Sequence, residues 1–205
     1  MSGRPAGKPA GVILAGGLSR RMGGGNKALR VLAGRTLLSR VIERLAPQCG
    51  PLAINANGEA ETFGEYDLPV IADGFSGFAG PLAGVLAGMD WAAGQGAGSV
   101  VSVSVDTPFI PEDLVWRLLD ARGRSGVAVA ASPDTQGLLR DHPTCALWPV
   151  ALRDDLHAAL ESGLHRIGQF AASYDPGRAV FDSRVMDPFL NLNTPEDLAR
   201  AERLL

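Results

Sequence analysis

Gly11-Val-Ile-Leu-Ala-Gly-Gly-Leu-Ser-Arg-Arg-Met-Gly-Gly-Gly-Asn-Lys27 is the stretch on which the fold turns. Val12 to Ala15 form an uninterrupted apolar run bounded by glycine, the pattern of a strand buried on both faces of a parallel sheet. Gly16 and Gly17 let the backbone turn without a Cβ penalty and leave N–H groups free to face an anion. The loop that follows carries Arg20, Arg21 and Lys27 with no acidic residue. Bare amides beside three cations suit a polyphosphate.

Two familiar phosphate loops are excluded. A Walker A loop ends Gly-Lys-Ser/Thr, whereas here Asn26 precedes Lys27 and Ala28 follows it. The G-x-G-x-x-G dinucleotide fingerprint is absent between residues 11 and 27. Working outward, apolar residues at helical spacing predict a helix over Thr36–Ala46, stopped by Pro47. Strands are predicted at Pro51–Ala56, Pro69–Ala72, Ser99–Val105, Val127–Ser132, Thr144–Trp148 and Arg178–Phe181. Helices are predicted at Gly80–Ala93, Pro111–Arg122, Val150–Glu161 and His165–Ala172. Thr194-Pro-Glu-Asp197 opens a last one, with Thr194 as cap and Pro195 in the first turn. Strand–helix alternation implies an α/β, three-layer, Rossmann-like fold with a mostly parallel sheet.

The chain has 205 residues, 46% of them hydrophobic, which suits a single domain over residues 11–205 behind a disordered tail at 1–10. No apolar run reaches membrane-spanning length, and Met1–Ala10 lacks a secretory apolar region. Cys49 and Cys145 make neither a zinc pattern nor a disulfide framework and read as free buried thiols, so a cytoplasmic home is expected. Residues 1–50 hold nine of the 19 Lys/Arg but only one of the 22 acids, Glu43. That polarity points to an anionic ligand against the N-terminal third. With 6% aromatic residues and a net charge of −3, nucleic acid is not the partner.

Strand tips supply the rest of the constellation. Ligands of parallel α/β sheets bind beyond the carboxyl ends of strands. Gly16, Asn55, Asp73 and Asp106 all stand at such ends. Asp106 follows the run SVVSVSV and precedes Thr107-Pro108; a tip carboxylate near bound phosphates is an expected oxygen ligand for Mg²⁺, with a turn aspartate the alternative. Asn55, Asn57, Asn191 and Asn193 also read as turn residues, and Asp141-His142-Pro143 as a turn before a strand. Trp91, Trp116 and Trp148 read as core.

There is no G-x-S-x-G elbow, no H-E-x-x-H, and no evident Ser/His/Asp set. Nucleotidyl transfer to a phosphate monoester needs none of these, because the attacking oxygen ionises with a pKa of about 6. The protein then has to align two anions and neutralise their repulsion.

The loop Leu14–Lys27 resembles the signature of nucleotidyltransferases that activate small phosphates with NTPs. Asn55-Ala-Asn57, Ile71-Ala-Asp73, Gly80-Pro-Leu-Ala-Gly84, Asp106-Thr-Pro108, Arg140-Asp-His-Pro143 and Asn191-Leu-Asn-Thr-Pro195 extend the resemblance, in order, to the molybdenum cofactor guanylyltransferases. The resemblance implies GMP transfer from GTP to molybdopterin-bound molybdenum cofactor, with pyrophosphate released. It implies that Leu14, Ala15, Gly16 and Lys27 hold the nucleotide and that Arg21 neutralises its phosphates. Asn55 and Asp73 would meet the guanosine end, Gly80 to Gly84 would lie near the base, and Asp106 would bind nucleotide and Mg²⁺. Arg140, Asp141, His142, Asn191 and Asn193 would face the pterin. Transient contact with proteins that deliver or accept the cofactor is implied as well. One departure is Asn26, where related loops often carry an acid.

Related activities differ at identifiable residues. The similar cytidylyltransferases typically read Leu-Ala-Ala-Gly and Arg-Phe-Gly in the first loop. Here Leu14-Ala-Gly-Gly17 and Arg21-Met-Gly23 favour guanine. Sugar-phosphate nucleotidyltransferases usually have longer chains. A non-catalytic nucleotide or cofactor carrier is the other alternative, and it has no need for both Lys27 and Asp106.

Overall fold

The computed structural model of the chain describes residues 7–16, 26–58, 60–75, 80–184 and 186–205. Nine strands are present among them: β1 (Ala10–Leu14), β2 (Val31–Leu32), β3 (Arg35–Thr36), β4 (Leu52–Asn55), β5 (Val70–Ile71), β6 (Ser99–Ser104), β7 (Ala128–Pro133), β8 (Leu139–Pro149) and β9 (Gly177–Val180). Six α-helices accompany them: α1 (Leu37–Leu45), α2 (Pro81–Gly94), α3 (Leu114–Ala121), α4 (Arg153–Glu161), α5 (Ile167–Ala172) and α6 (Pro195–Glu202).

Seven strands form one sheet in the order β5-β4-β1-β6-β8-β7-β9. β8 runs antiparallel to β6 and β7; the other pairings are parallel. Strand alternation builds two cores. Ile13, Ile54, Val101, Val103 and Leu147 face one layer with α1, α3 and α6. Val12, Leu14, Val100, Ala146 and Trp148 face the other with α2, α4 and α5. This is the three-layer arrangement that strand–helix alternation dictates, since a sheet apolar on both faces needs helices on both.

Close approach on the α2 side depends on missing side chains. A Cβ on Gly88 would fall 2.8 Å from Val12 Cγ1, and one on Gly84 only 2.2 Å from Asn55 Oδ1. Trp148 is buried against Phe170, and its indole N–H donates to Ser102 Oγ at 2.9 Å, which meets the polar requirement of a buried tryptophan.

Four features differ from the sequence reading. β1 opens at Ala10, and the Pro9 carbonyl accepts from Gly50 N at 2.8 Å, so these two residues, expected in a disordered tail, are part of the folded sheet edge. The hairpin β2–β3 was not anticipated; Ala33 (φ 46°) and Gly34 (φ 78°) turn it, and one of the two is not a glycine. Asp141-His142-Pro143 is strand, not turn: β8 starts at Leu139, and a register shift between Val129 and Ala130 accommodates a proline that has no N–H to give the ladder. Trp116 is 66% exposed on α3 and is not core.

Candidate active site

The order of strands decides which side chains meet. β1 lies between β4 and β6, with Leu14 opposite Asn55 on one side and Ser104 on the other. Backbone pairing continues past the tips, with Ala15 N donating to Asn55 O at 2.9 Å and Val105 N to Leu14 O at 3.1 Å. The ends of β1, β4 and β6 therefore share one edge. The nucleotide-end candidates Leu14 and Ala15 are buried there and Gly16 is exposed. Arg21 lies outside the described residues.

Lys27 reaches that edge from a short 3-10 turn, Lys27–Leu29. Asn26 caps the turn, its side-chain oxygen accepting from Ala28 N at 3.0 Å. The neutral residue that stands where related loops often place an acid is thus a local cap. Lys27 Nζ donates to Asp106 Oδ2 at 2.6 Å and to Asn193 Oδ1 at 2.5 Å. Both side chains of the ion pair are largely withdrawn from water, at 15% and 17% exposure.

Asp106 is held by its backbone on two sides. Thr107 N and Oγ1 both donate to Ser104 O, at 3.2 and 2.7 Å, closing the turn that carries it. Leu192 N donates to Asp106 O at 2.9 Å, fastening the segment before α6 beside β6. The second carboxylate oxygen, Oδ1, is buried without a hydrogen-bond partner among the described residues. A buried anionic oxygen left unmatched is costly, and a cation is its natural complement.

Those residues fit Mg²⁺. Among the described residues there is no cluster of three or more His, Cys, Asp or Glu that could hold a metal alone. Magnesium is commonly held by one or two carboxylates together with substrate phosphates, so a lone tip aspartate with a free oxygen meets the requirement.

A second group stands beyond β4 and β5. Asn55, buried at the end of β4, donates from Nδ2 to Asp73 Oδ1 at 2.9 Å and to Ile71 O at 3.2 Å. Asn57 Nδ2 donates to Asp73 Oδ2 at 2.6 Å, and Asp73 N returns a bond to Asn57 Oδ1 at 2.9 Å. Asp73 is therefore fixed in orientation by two amides. Gly84, in the first turns of α2, leaves the room Asn55 needs. Gly80, the residue before α2, has φ 61° and ψ −154°, a region open in practice only to glycine.

The remaining candidates separate. β8 is antiparallel, so its first residues come to the same edge as the other strands' last ones. Arg140 pairs with Asp134 of the preceding turn at 2.9 Å. Asp141 takes a bidentate bond from Arg178 of β9, at 2.8 and 3.0 Å. His142 stacks on Phe189 with centroids 4.6 Å apart and shares a 2.7 Å bond between its Nε2 and Ser132 Oγ. Ser132 also donates to Asp187 Oδ1 at 3.1 Å, so the aspartate serves the hydroxyl rather than orienting the ring as in a nucleophilic triad. Burial pushes the His142 imidazole below its usual 6.5, against the opposing pull of Asp187 and Asp141. Asn191 is exposed, whereas Asn193 sits on Lys27. The Ser132–His142–Asp187 group escaped the sequence reading, because β7, β8 and the segment before α6 bring it together from three places.

Such a sheet, with a lysine and a strand-tip carboxylate meeting at the edge where β1 ends, defines a nucleotidyltransferase of Rossmann-like fold. The MobA-like NTP transferase domain matches residues 11–176, and the chain belongs to that family. It is 52% identical over 201 residues to a molybdenum cofactor guanylyltransferase of Rhodopseudomonas palustris (strain HaA2), covering 96% of this chain and 92% of that one. A protein of the same name from Cereibacter sphaeroides is 50% identical, with 95% of this chain and 96% of the relative covered. Among solved structures it resembles molybdopterin-guanine dinucleotide biosynthesis protein A of Archaeoglobus fulgidus, at TM-score 0.71 and 23% identity over 95% of this chain and 97% of that one. It also resembles 2-C-methyl-D-erythritol 4-phosphate cytidylyltransferase of Thermus thermophilus, at TM-score 0.70 and 22% identity over 94% and 96%. These two likenesses are of fold. No helix among the described residues is long and apolar enough to cross a membrane.

Proposed function

We propose that the chain transfers GMP from GTP to the phosphate of molybdopterin-bound molybdenum cofactor, giving molybdopterin guanine dinucleotide cofactor and pyrophosphate. A terminal phosphate oxygen of the pterin attacks the α-phosphorus of GTP. A new P–O bond forms as the bond from the α-phosphorus to the bridging oxygen breaks, and pyrophosphate leaves with that electron pair. Guanylyltransferase is the name carried by the relatives near 50% identity, and a cytidine or sugar-phosphate preference is not favoured.

The observation that carries the mechanism is the meeting of Lys27 with Asp106 at 2.6 Å on the sheet's carboxyl edge. Two anions have to approach each other, and Lys27 supplies positive charge where repulsion is greatest. Leu14, Ala15 and Gly16 line the nucleotide's path at the end of β1, and Arg21 adds a second cation. Asp73, fixed between Asn55 and Asn57, receives the guanosine end, with Gly80 to Gly84 beside the base. Asp106, through its free Oδ1, would hold Mg²⁺, which when bound neutralises phosphate charge. Arg140, Asp141, His142 and Asn191 are assigned to the pterin side, and Asn193 to Lys27. We assign the reaction to the cytoplasm; two free thiols, both buried, suit a reducing compartment.

The test supplies each of the four NTPs in turn, with magnesium and molybdenum cofactor, and follows pyrophosphate release. GTP is expected to be the productive substrate. A preference for CTP overturns the base assignment, and inertness with all four favours a carrier.

A further inference from the structure

We infer that Asp197 is a positioning residue for Lys27, acting through Asn193. The kinetic part of this inference rests on the guanylyl-transfer reading; the structural part stands on contacts alone.

Asp197 closes the cap of α6. Its N–H donates to Thr194 Oγ1 at 3.1 Å, and its Oδ2 accepts from Thr194 N at 2.9 Å, which completes a capping box. A capping box requires nothing more. Yet the same Oδ2 also accepts from Asn193 N at 2.9 Å, one residue before the cap. That extra bond does nothing for the helix. It fixes the backbone of the residue whose side chain meets Lys27 Nζ at 2.5 Å.

Asn193 needs such fixing because it is an exposed loop residue between two anchors. On one side Leu192 is fully buried and donates its N–H to Asp106 O at 2.9 Å. On the other side stands the Asp197 carboxylate. With both in place, Asn193 Oδ1 is a neutral acceptor held at a set point, gripping the ammonium without cancelling its charge. Burial disfavours the charged Asp197, but the Asn193 N–H, the Thr194 hydroxyl and N–H, and the positive charge of Lys27 hold its carboxyl below the usual range. The two charges thus sense each other across Asn193.

A test of Lys27 itself is available, because the chain contains only two lysines, Lys8 and Lys27. Lys8 is an exposed reference, bonded to Pro47 O at 2.6 Å. Limiting acetic anhydride, with the Lys27-to-Lys8 labelling ratio read by peptide mass spectrometry, reports how firmly Lys27 is held. Asn193→Ala and Asp197→Ala should each raise the ratio about tenfold, the order of one lost hydrogen bond to a charged group. The double variant should label no faster than Asn193→Ala alone, since both act on one contact. Thr194→Ala, which loses cap stability but keeps the Asp197 carboxylate on Asn193 N, should stay within about twofold of wild type. With GTP and molybdenum cofactor, kcat should fall about tenfold in Asp197→Ala while the KM for GTP moves by less than about threefold.

Should Asp197→Ala fail to fold, Asp197→Asn, which keeps an oxygen but no charge, is expected to give the same pattern at smaller amplitude. The inference fails if Asp197→Ala labels like wild type, if Thr194→Ala raises the ratio equally, or if Asp197→Ala adds its full effect to Asn193→Ala. If wild-type protein transfers no GMP, the functional reading falls, and the labelling ratio still decides the role of Asp197.

Discussion

Lys27 and Asp106, 79 residues apart in the chain, join at 2.6 Å where the 3-10 turn Lys27–Leu29 reaches the edge at which the parallel neighbours β1 and β6 end side by side. The pair is mostly shielded from water, and shielded charges attract more strongly than exposed ones. In the proposed reaction an incoming polyphosphate would meet a cation that is already oriented rather than free in solvent. That preorganisation is the physical basis for assigning Lys27 to the reacting phosphates.

Replacing the cation tests this assignment. Lys27→Met is expected to lower kcat/KM for GTP by about 10²- to 10³-fold, the usual loss when one oriented charge-stabilising group is removed. Lys27→Arg is not expected to restore wild-type turnover. The planar guanidinium cannot take the place of a compact ammonium that bonds Asp106 and Asn193 at 2.6 and 2.5 Å. Steady-state pyrophosphate release measures both, and full activity in either variant contradicts the role.

Asp106→Asn isolates the carboxylate. The amide is nearly isosteric and still able to accept from Lys27, but it carries no charge for a cation at the buried Oδ1 position. Turnover is expected to fall about 10²- to 10³-fold. Nucleotide affinity by calorimetry should fall much less, since the end of β1 and the Asp73 group remain. Wild-type turnover in this variant would show the metal assignment to be wrong.

The parts of the molecule legible in sequence are those where one short segment carries its own signal. Val12–Ala15 and SVVSVSV announce buried strands by composition, and Thr194–Asp197 announces a helix start by its cap. Strand ends then follow, and with them Gly16, Asn55, Asp73 and Asp106. The contact of Lys27 with Asn193 spans 166 residues and leaves no mark in either local segment, so Asn193 reads as an ordinary turn residue. Asp141-His142-Pro143 reads as a turn because a charged residue and a proline mimic one; only the pairing of Asp141 and His142 with Ala131 and Ala130 of β7 makes the segment strand. Trp116 was misread because its α3 neighbours Val115 and Leu118 are core, and periodicity alone did not resolve the edge of the apolar face.

Gly84 offers a packing test beside Asn55, at the end of the site proposed for the nucleotide. A Cβ there would lie 2.2 Å from Asn55 Oδ1 and 2.8 Å from Leu14 Cδ2; both side chains are buried, and the Asn55 amide is tied to Asp73 and Ile71, so neither can swing clear without loss. Gly84→Ala is expected to destabilise the fold by about 1–3 kcal/mol, the range for overpacking. It should also displace Asn55 from Asp73 and weaken GTP binding. Asn55→Ala in the same chain should relieve the clash, so the double variant is expected to melt above Gly84→Ala. Additive losses in thermal denaturation would mean that the two residues are not in contact.

His142 carries the pH prediction. Burial against Phe189 lowers its folded pKa below the ordinary 6.5, despite the raising influence of Asp187 and Asp141. Between the folded and unfolded values, the unfolded chain binds more protons, so unfolding free energy rises with pH across that window. The contribution is fully present above the ordinary histidine pKa, is lost as pH falls through it, and is gone below the folded value. His142→Gln has no proton to take up there. Its melting temperature should therefore fall less than that of wild type between about pH 7.5 and about pH 5. His157 and His165 are exposed and common to both proteins, so they cancel in the comparison. Parallel melting curves across that range would mean that the His142 environment does not favour the neutral ring, and the packing on Phe189 would have to be redrawn.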